Sequence, residues 1–213
     1  MSQFVASPPI RRFTDQVKRA RPTQPNLTTT AHQTAGRRDL SRLPKAHLHL
    51  HFTGAMRPQT LIDLADEQGV RLPSHLLAID PLKVPADGRG WFRFQRSYDS
   101  ARHLVRSESA MRRIVREAVE DDAKEGSVRL EMQVDPTSYA PWVGGITPAL
   151  EIILDEARQA WRDTGVEVGI IVAASRIRHP LDARILARLA TQYAGEGPGK
   201  VIEIGRASCR ERV

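Results

Sequence analysis

The chain has 213 residues, the size of one ordinary domain, and a formal net charge of +7 from 32 basic and 25 acidic side chains. The excess sits at the ends: residues 1–38 carry seven basic side chains against Asp15, whereas 39–202 carries 22 of each sign, so the body gives no hint of a phosphate-binding surface. A single cysteine, Cys209, excludes disulfides and thiolate metal sites; no run approaches the ~18 apolar residues of a membrane span, and Met1–Ala6 lacks the apolar core of a secretory signal, so a cytoplasmic protein with neither membrane nor nucleic-acid partners is expected.

Residues 1–38, rich in Pro, Thr, Gln and Arg and without sustained periodicity, are expected to form a disordered basic extension. They hold too little apolar surface to offset the entropy of ordering. The stretch Pro44 to Pro58, PKAHLHLHFTGAMRP, then predicts a first strand. His47, His49 and His51 alternate with Leu48 and Leu50, which places the three imidazoles on one face. Ala46, Leu48, Leu50 and Phe52 form the opposite, apolar row, suited to packing under helices. Two imidazoles at i, i+2 near a strand end can converge on zinc or a similar divalent ion. A plain polar face of hydrogen-bonded histidines is the alternative, and it fits a lone histidine better than three at strand spacing before a glycine turn.

Leu61, Ile62, Leu64 and Ala65 predict a helix from about Arg57 to Gln68, closed by Gly69. Residues 70–90 read as irregular, with Pro73, Pro81, Pro85, Gly88 and Gly90. Trp91 to Val105 predicts a helix with Trp91, Phe94, Tyr98, Ala101 and Val105 on one side. Ser107 is a favoured N-cap for the next helix, whose face is Met111, Ile114, Val115, Ala118 and Val119, with Gly126 as its stop. Val128 to Asp135 alternates as a second strand. Val128, Leu130, Met132 and Val134 are expected to face helices, and Arg129, Glu131, Gln133 and Asp135 to face inward. Thr147-Pro148 is a favoured helix start, followed by Leu150, Ile153, Leu154, Ala157 and Trp161 along one side and ended by Gly165. Val168 to Ala174 is the near-continuous apolar run of a buried parallel strand. Pro180 to Tyr193 predicts a helix with Ile185, Leu186 and Leu189 inward, and Gly199 to Ile202 opens a fourth strand. Strands alternating with helices imply an α/β protein with right-handed parallel crossovers.

Pro44–Gly54, followed by Arg57-Pro58-Gln59-Thr60-Leu61, resembles the first-strand signature of the adenosine deaminase family, roughly PKxELHxHLDG then RPxTL. Residues 124–136, KEGSVRLEMQVDP, resemble that family's KEGxxYxExRxSP. The resemblance covers about 39–202 and implies a partial (β/α)8 TIM barrel, short of the ~250 residues of a complete one. It would hold roughly the first four strands, with an extra helical lid segment after the first. It further implies zinc held by His49 and His51, and a purine nucleoside substrate contacted by His51, Thr53, Phe94 and Tyr98. The implied reaction is hydrolytic deamination of adenosine to inosine and ammonia.

Departures from the family pattern include His47, which stands where Glu is usual, Thr53, where an Asp or Glu reaches the ribose end of the substrate, and Gln133, where Arg is usual. The change at Thr53 leaves room for a modified adenine nucleoside such as aminodeoxyfutalosine. The family's third histidine ligand, its proton-donating Glu, a further His and an Asp have no matching positions, so this chain by itself is expected to be an inactive fragment. Glu203–Val213, EIGRASCRERV, matches the translation of a widely used sequencing adapter and is expected to be a non-native tail.

Overall fold

The computed structural model describes residues 39, 43–72, 76, 87–175 and 178–205. The expected basic extension 1–38, most of the irregular stretch after the first helix, and 206–213 of the expected tail lie outside the described residues. The order is β1 (Lys45–His51), a 3-10 turn (Thr53–Ala55), α1 (Pro58–Glu67), α2 (Gly88–Arg102), α3 (Glu108–Lys124), β2 (Ser127–Val134), a second 3-10 turn (Pro136–Ser138), α4 (Ala140–Val143), α5 (Ile146–Thr164), β3 (Glu167–Ala173), α6 (Pro180–Tyr193) and β4 (Lys200–Gly205). The four strands form one sheet in sequential order, and every pairing is parallel. A doubly wound sheet reverses its strand order part-way; this one never does, which makes it an arc of a (β/α) barrel.

The helices form where periodicity and caps agree. Ser107 caps α3 by accepting from the Ala110 amide at 3.2 Å, and Met111, Ile114, Val115, Ala118 and Val119 are buried. They pack with Leu150, Ile153 and Leu154 of α5 and with Leu130, Met132, Val168 and Ile170 of the sheet in one core. Burying such side chains is worth about 1.5–3 kcal/mol each. A buried Glu156 joins the two helices, accepting from Arg116 Nε at 2.7 Å and Arg112 Nη1 at 3.3 Å.

Several expectations are corrected. Helix α2 runs from Gly88 to Arg102; it starts three residues before Trp91 because the Asp87 carboxylate accepts from the Gly90 amide at 2.7 Å and caps it. Val105, placed on that helix by its spacing, lies beyond the helix and is buried. Helix α5 starts at Ile146 behind a Gly145 cap, not at Thr147, because Gly144 and Gly145 take φ of 84° and 142°, a turn that side chains resist. Val128, Trp161 and Ile185 are exposed, not turned to the core. Strand β4 runs through Gly205, three residues past Ile202, with Glu203, Ile204 and Gly205 paired to β3.

Candidate active site

Strand β1 does not keep the strict alternation read from its sequence. In the ladder with β2, His47 pairs with Leu130 and Leu50 with Met132, so three steps on β1 meet two on β2. The extra residue is a β-bulge, and His49 sits in it with φ +69°, a conformation uncommon outside glycine. The bulge changes the phase of the strand. Leu130 and Met132 belong to the helix-facing core, so His47, level with Leu130, faces α3. There its Nδ1 lies 2.9 Å from Asp122 Oδ1. His51, level with Gln133, is on the opposite, inner side. The three histidines therefore do not share a face: His49 and His51 come together, their ring centroids 5.0 Å apart and steeply inclined, while His47 leaves. The apolar row is broken by the same shift. Leu48 is 59% exposed and Ala46 is exposed, and Phe52 is the fully buried member.

Burial, followed by the neighbouring charge of His49, lowers the pKa of His51, which keeps its ring neutral and a nitrogen lone pair available at neutral pH. The aromatic face of α2 stands beside it. The Tyr98 ring is 6.5 Å from that of His51, Phe94 is 6.3 Å from Tyr98, and Trp91 is 5.8 Å from Phe94. A Cβ placed on Gly54 would touch His51 Cβ at 3.6 Å and Tyr98 at 3.7 Å, so the turn after β1 brings strand and helix together at this point. Phe94 is partly solvent-facing, and the wall lines an open side of the sheet.

Thr53 is not an open group. It is buried, and its hydroxyl lies 2.6 Å from that of Tyr139, itself buried and stacked edge-on against Phe52 at 5.2 Å. Burial pushes the Tyr139 phenol upward, against the smaller opposing effect of the Thr53 hydrogen bond. Nothing periodic in the sequence marks Tyr139, which follows the short turn Pro136–Ser138. Gln133, level with His51, is buried on the inner side as well. Asp135, at the end of β2, accepts from the Thr137 amide at 3.0 Å and lies 3.8 Å from Arg178 Nε.

Imidazole nitrogens suit zinc and similar divalent ions, and the adjacent rings of His49 and His51 supply two such donors. Among the described residues, no group of three or more His, Cys, Asp or Glu side chains is placed to hold a metal ion. The fit is therefore in donor type, with two positions filled by this chain. No helix of the described residues is long and apolar enough to cross a membrane.

The sequence model of the family described as adenosine deaminase matches residues 44–205. The chain belongs to the adenosine deaminase family. A Streptomyces virginiae relative provisionally named adenosine/adenine deaminase is 61% identical over 161 residues, covering 75% of this chain and 48% of its own length. A zinc-bound amidohydrolase from Burkholderia ambifaria superposes with a TM-score of 0.64 at 24% identity, over 78% of this chain and 44% of its own. An adenine deaminase from Arthrobacter aurescens gives 0.63 at 23% identity, over 78% and 49%. The chain thus spans about half the length of the curated relatives it matches, and the two crystal structures support the barrel fold.

Proposed function

We propose that this chain supplies the first two metal ligands and part of the substrate wall of a zinc-dependent hydrolase that removes the 6-amino group of adenosine. Water adds at C6, the bond from C6 to the amino nitrogen breaks, and inosine and ammonia leave. Zinc, when bound, supplies the Lewis acidity that makes a water nucleophilic near neutral pH. His49 and His51 would hold the cation through their ring nitrogens, and burial favours the neutral form of His51. Tyr98 and Phe94 present apolar faces on which a purine ring can stack. The observation that carries this reading is the convergence of the His49 and His51 rings beside that aromatic wall, in a chain matching the deaminase family over residues 44–205.

One observation favours a second reading of the substrate. The Thr53 hydroxyl is engaged by Tyr139, so no free polar group from that position meets a sugar. This favours a substrate altered at its sugar end, either a modified adenine nucleoside such as aminodeoxyfutalosine or the free base. The names of the relatives, which include both adenosine and adenine, agree with that choice. Ammonia release from adenosine, adenine and a 5′-extended adenine nucleoside, measured on a gene product of full family length, decides between them. His49→Ala and His51→Ala variants should abolish release. Undiminished turnover in either, or in the presence of a chelator, would refute the proposal. The 213-residue chain alone should release none, because two ligands do not make a catalytic zinc site.

A further inference from the structure

The pair formed by His47 and Asp122 lies outside the site just described, on the helix side of β1. Asp122 is buried on α3, and while its Oδ1 lies 2.9 Å from His47 Nδ1, its Oδ2 is buried without a hydrogen-bond partner among the described residues. A half-satisfied buried carboxylate is costly. Among the described residues, the hydrogen bond of this carboxylate reaches the last residue before the bulge in β1.

In a pleated strand, residues 47, 49 and 51 lie on the same face. Here His47 is level with Leu130 and His51 with Gln133, on opposite faces, and the single extra residue between them makes that possible. Downstream, the phase is fixed by the buried Phe52, whose amide donates to Gln133 O at 2.9 Å. Upstream, three contacts reach the helix side: the Lys45 amide donates to Gly126 O at 3.2 Å, the Lys45 ammonium donates to Glu125 O, and His47 meets Asp122. The two made by Lys45 fix the chain where the strand begins. The third is made by the His47 side chain itself, next to the bulge, and sets the face that His47 takes. If it were absent, the ladder could regularise, the bulge would move or anneal, and one step of slip would turn side chains to the opposite face.

We infer that the His47–Asp122 pair is a register pin: it holds the bulge at Leu48–His49 and thereby keeps the His49 and His51 rings on one side of the sheet. Asp122 and His47 are positioning residues that act through the backbone of β1 and touch neither metal nor substrate. The consequence for zinc rests on the reading of His49 and His51 as ligands; the consequence for ring placement does not.

The test uses the 213-residue chain with labelled histidines. Nuclear Overhauser contacts between the His49 and His51 ring protons report placement without metal, and a zinc titration against a competing chromophoric chelator reports affinity. Asp122→Ala and His47→Leu, which break the pin from either end, should lose the ring-to-ring contact and weaken zinc binding by about tenfold or more, as loss of a supporting contact does. Asp122→Asn, which can still hydrogen-bond to His47, should keep both. Glu156→Gln, a comparable loss at a buried carboxylate on α5, should lower stability and leave both unchanged. The pin is refuted if the ring contact survives in whichever breaking variant is folded by circular dichroism, if Glu156→Gln loses it equally, or if the parent chain lacks it. A parent chain that shows the contact, loses it on Asp122→Ala and never binds zinc would uphold the pin and refute the metal reading.

Discussion

The hydroxyl pair of Thr53 and Tyr139 offers a measurement that bears on the substrate. Both residues are 3% exposed, and their oxygens are 2.6 Å apart. Tyr139→Phe removes one oxygen and keeps the ring that packs on Phe52 at 5.2 Å, and Thr53→Val keeps the branched shape while removing the other. Each single change strands a buried hydroxyl or deletes its partner, at a cost of about 1–3 kcal/mol. In the double variant neither polar group remains to be stranded, so its cost should fall below the sum of the singles by about 1–2 kcal/mol, the range of residues in direct contact. Urea denaturation with a constant slope provides the free energies. For a folded unit of this size, each kcal/mol also moves the melting temperature by about 2–4 °C. If both singles cost less than about 0.5 kcal/mol and add, the hydroxyls are served by water. The closed arrangement would then be refuted, and with it the argument that Thr53 meets no sugar.

Other outcomes follow from the same structure. Ser107→Ala, which removes the acceptor for the Ala110 amide, should cost about 1 kcal/mol in urea denaturation. A methyl on Gly169 would lie 2.6 Å from Ile202 Cδ1, so Gly169→Ala should cost about 1–3 kcal/mol from overpacking, and Ile202→Val, which deletes that carbon, should restore part of it. Hydrogen bonding to Arg57 holds the Asp121 carboxyl below its ordinary range. A lowered folded-state value means stability present above the unfolded pKa and lost as pH falls through the folded one. Arg57→Gln should therefore flatten the loss of stability below about pH 4 in an acid titration, modestly, since Asp121 is half exposed and solvent screens the pair.

Local rules made much of the fold legible. Helix α6 begins and ends at Pro180 and Tyr193 as its pattern dictates, and α3 follows its Ser107 cap, because in both the deciding contacts lie within one or two turns. The family signature identified His49 and His51 as the candidate ligands, and their rings are neighbours. The bulge was illegible, since its position depends on pairing with β2 and on Asp122, 75 residues away from His47. The engagement of Thr53 depends on a tyrosine 86 residues distant. At the start of α5, the Thr-Pro pair was a plausible local signal, but the preceding two glycines prevailed.

Helix α2 fully buries only Gly90 and Ser97 along its fifteen residues, and Trp91, Phe92 and Phe94 remain partly in contact with solvent. Peeling it away from the neighbouring strand therefore forfeits little hydrophobic surface, far less than disturbing the clasped α3–α5 layer. Its amides should exchange hydrogen through brief local excursions, while those of the sheet wait for global opening. A molecule arriving at His51 would pass along the weakly buried face of this helix.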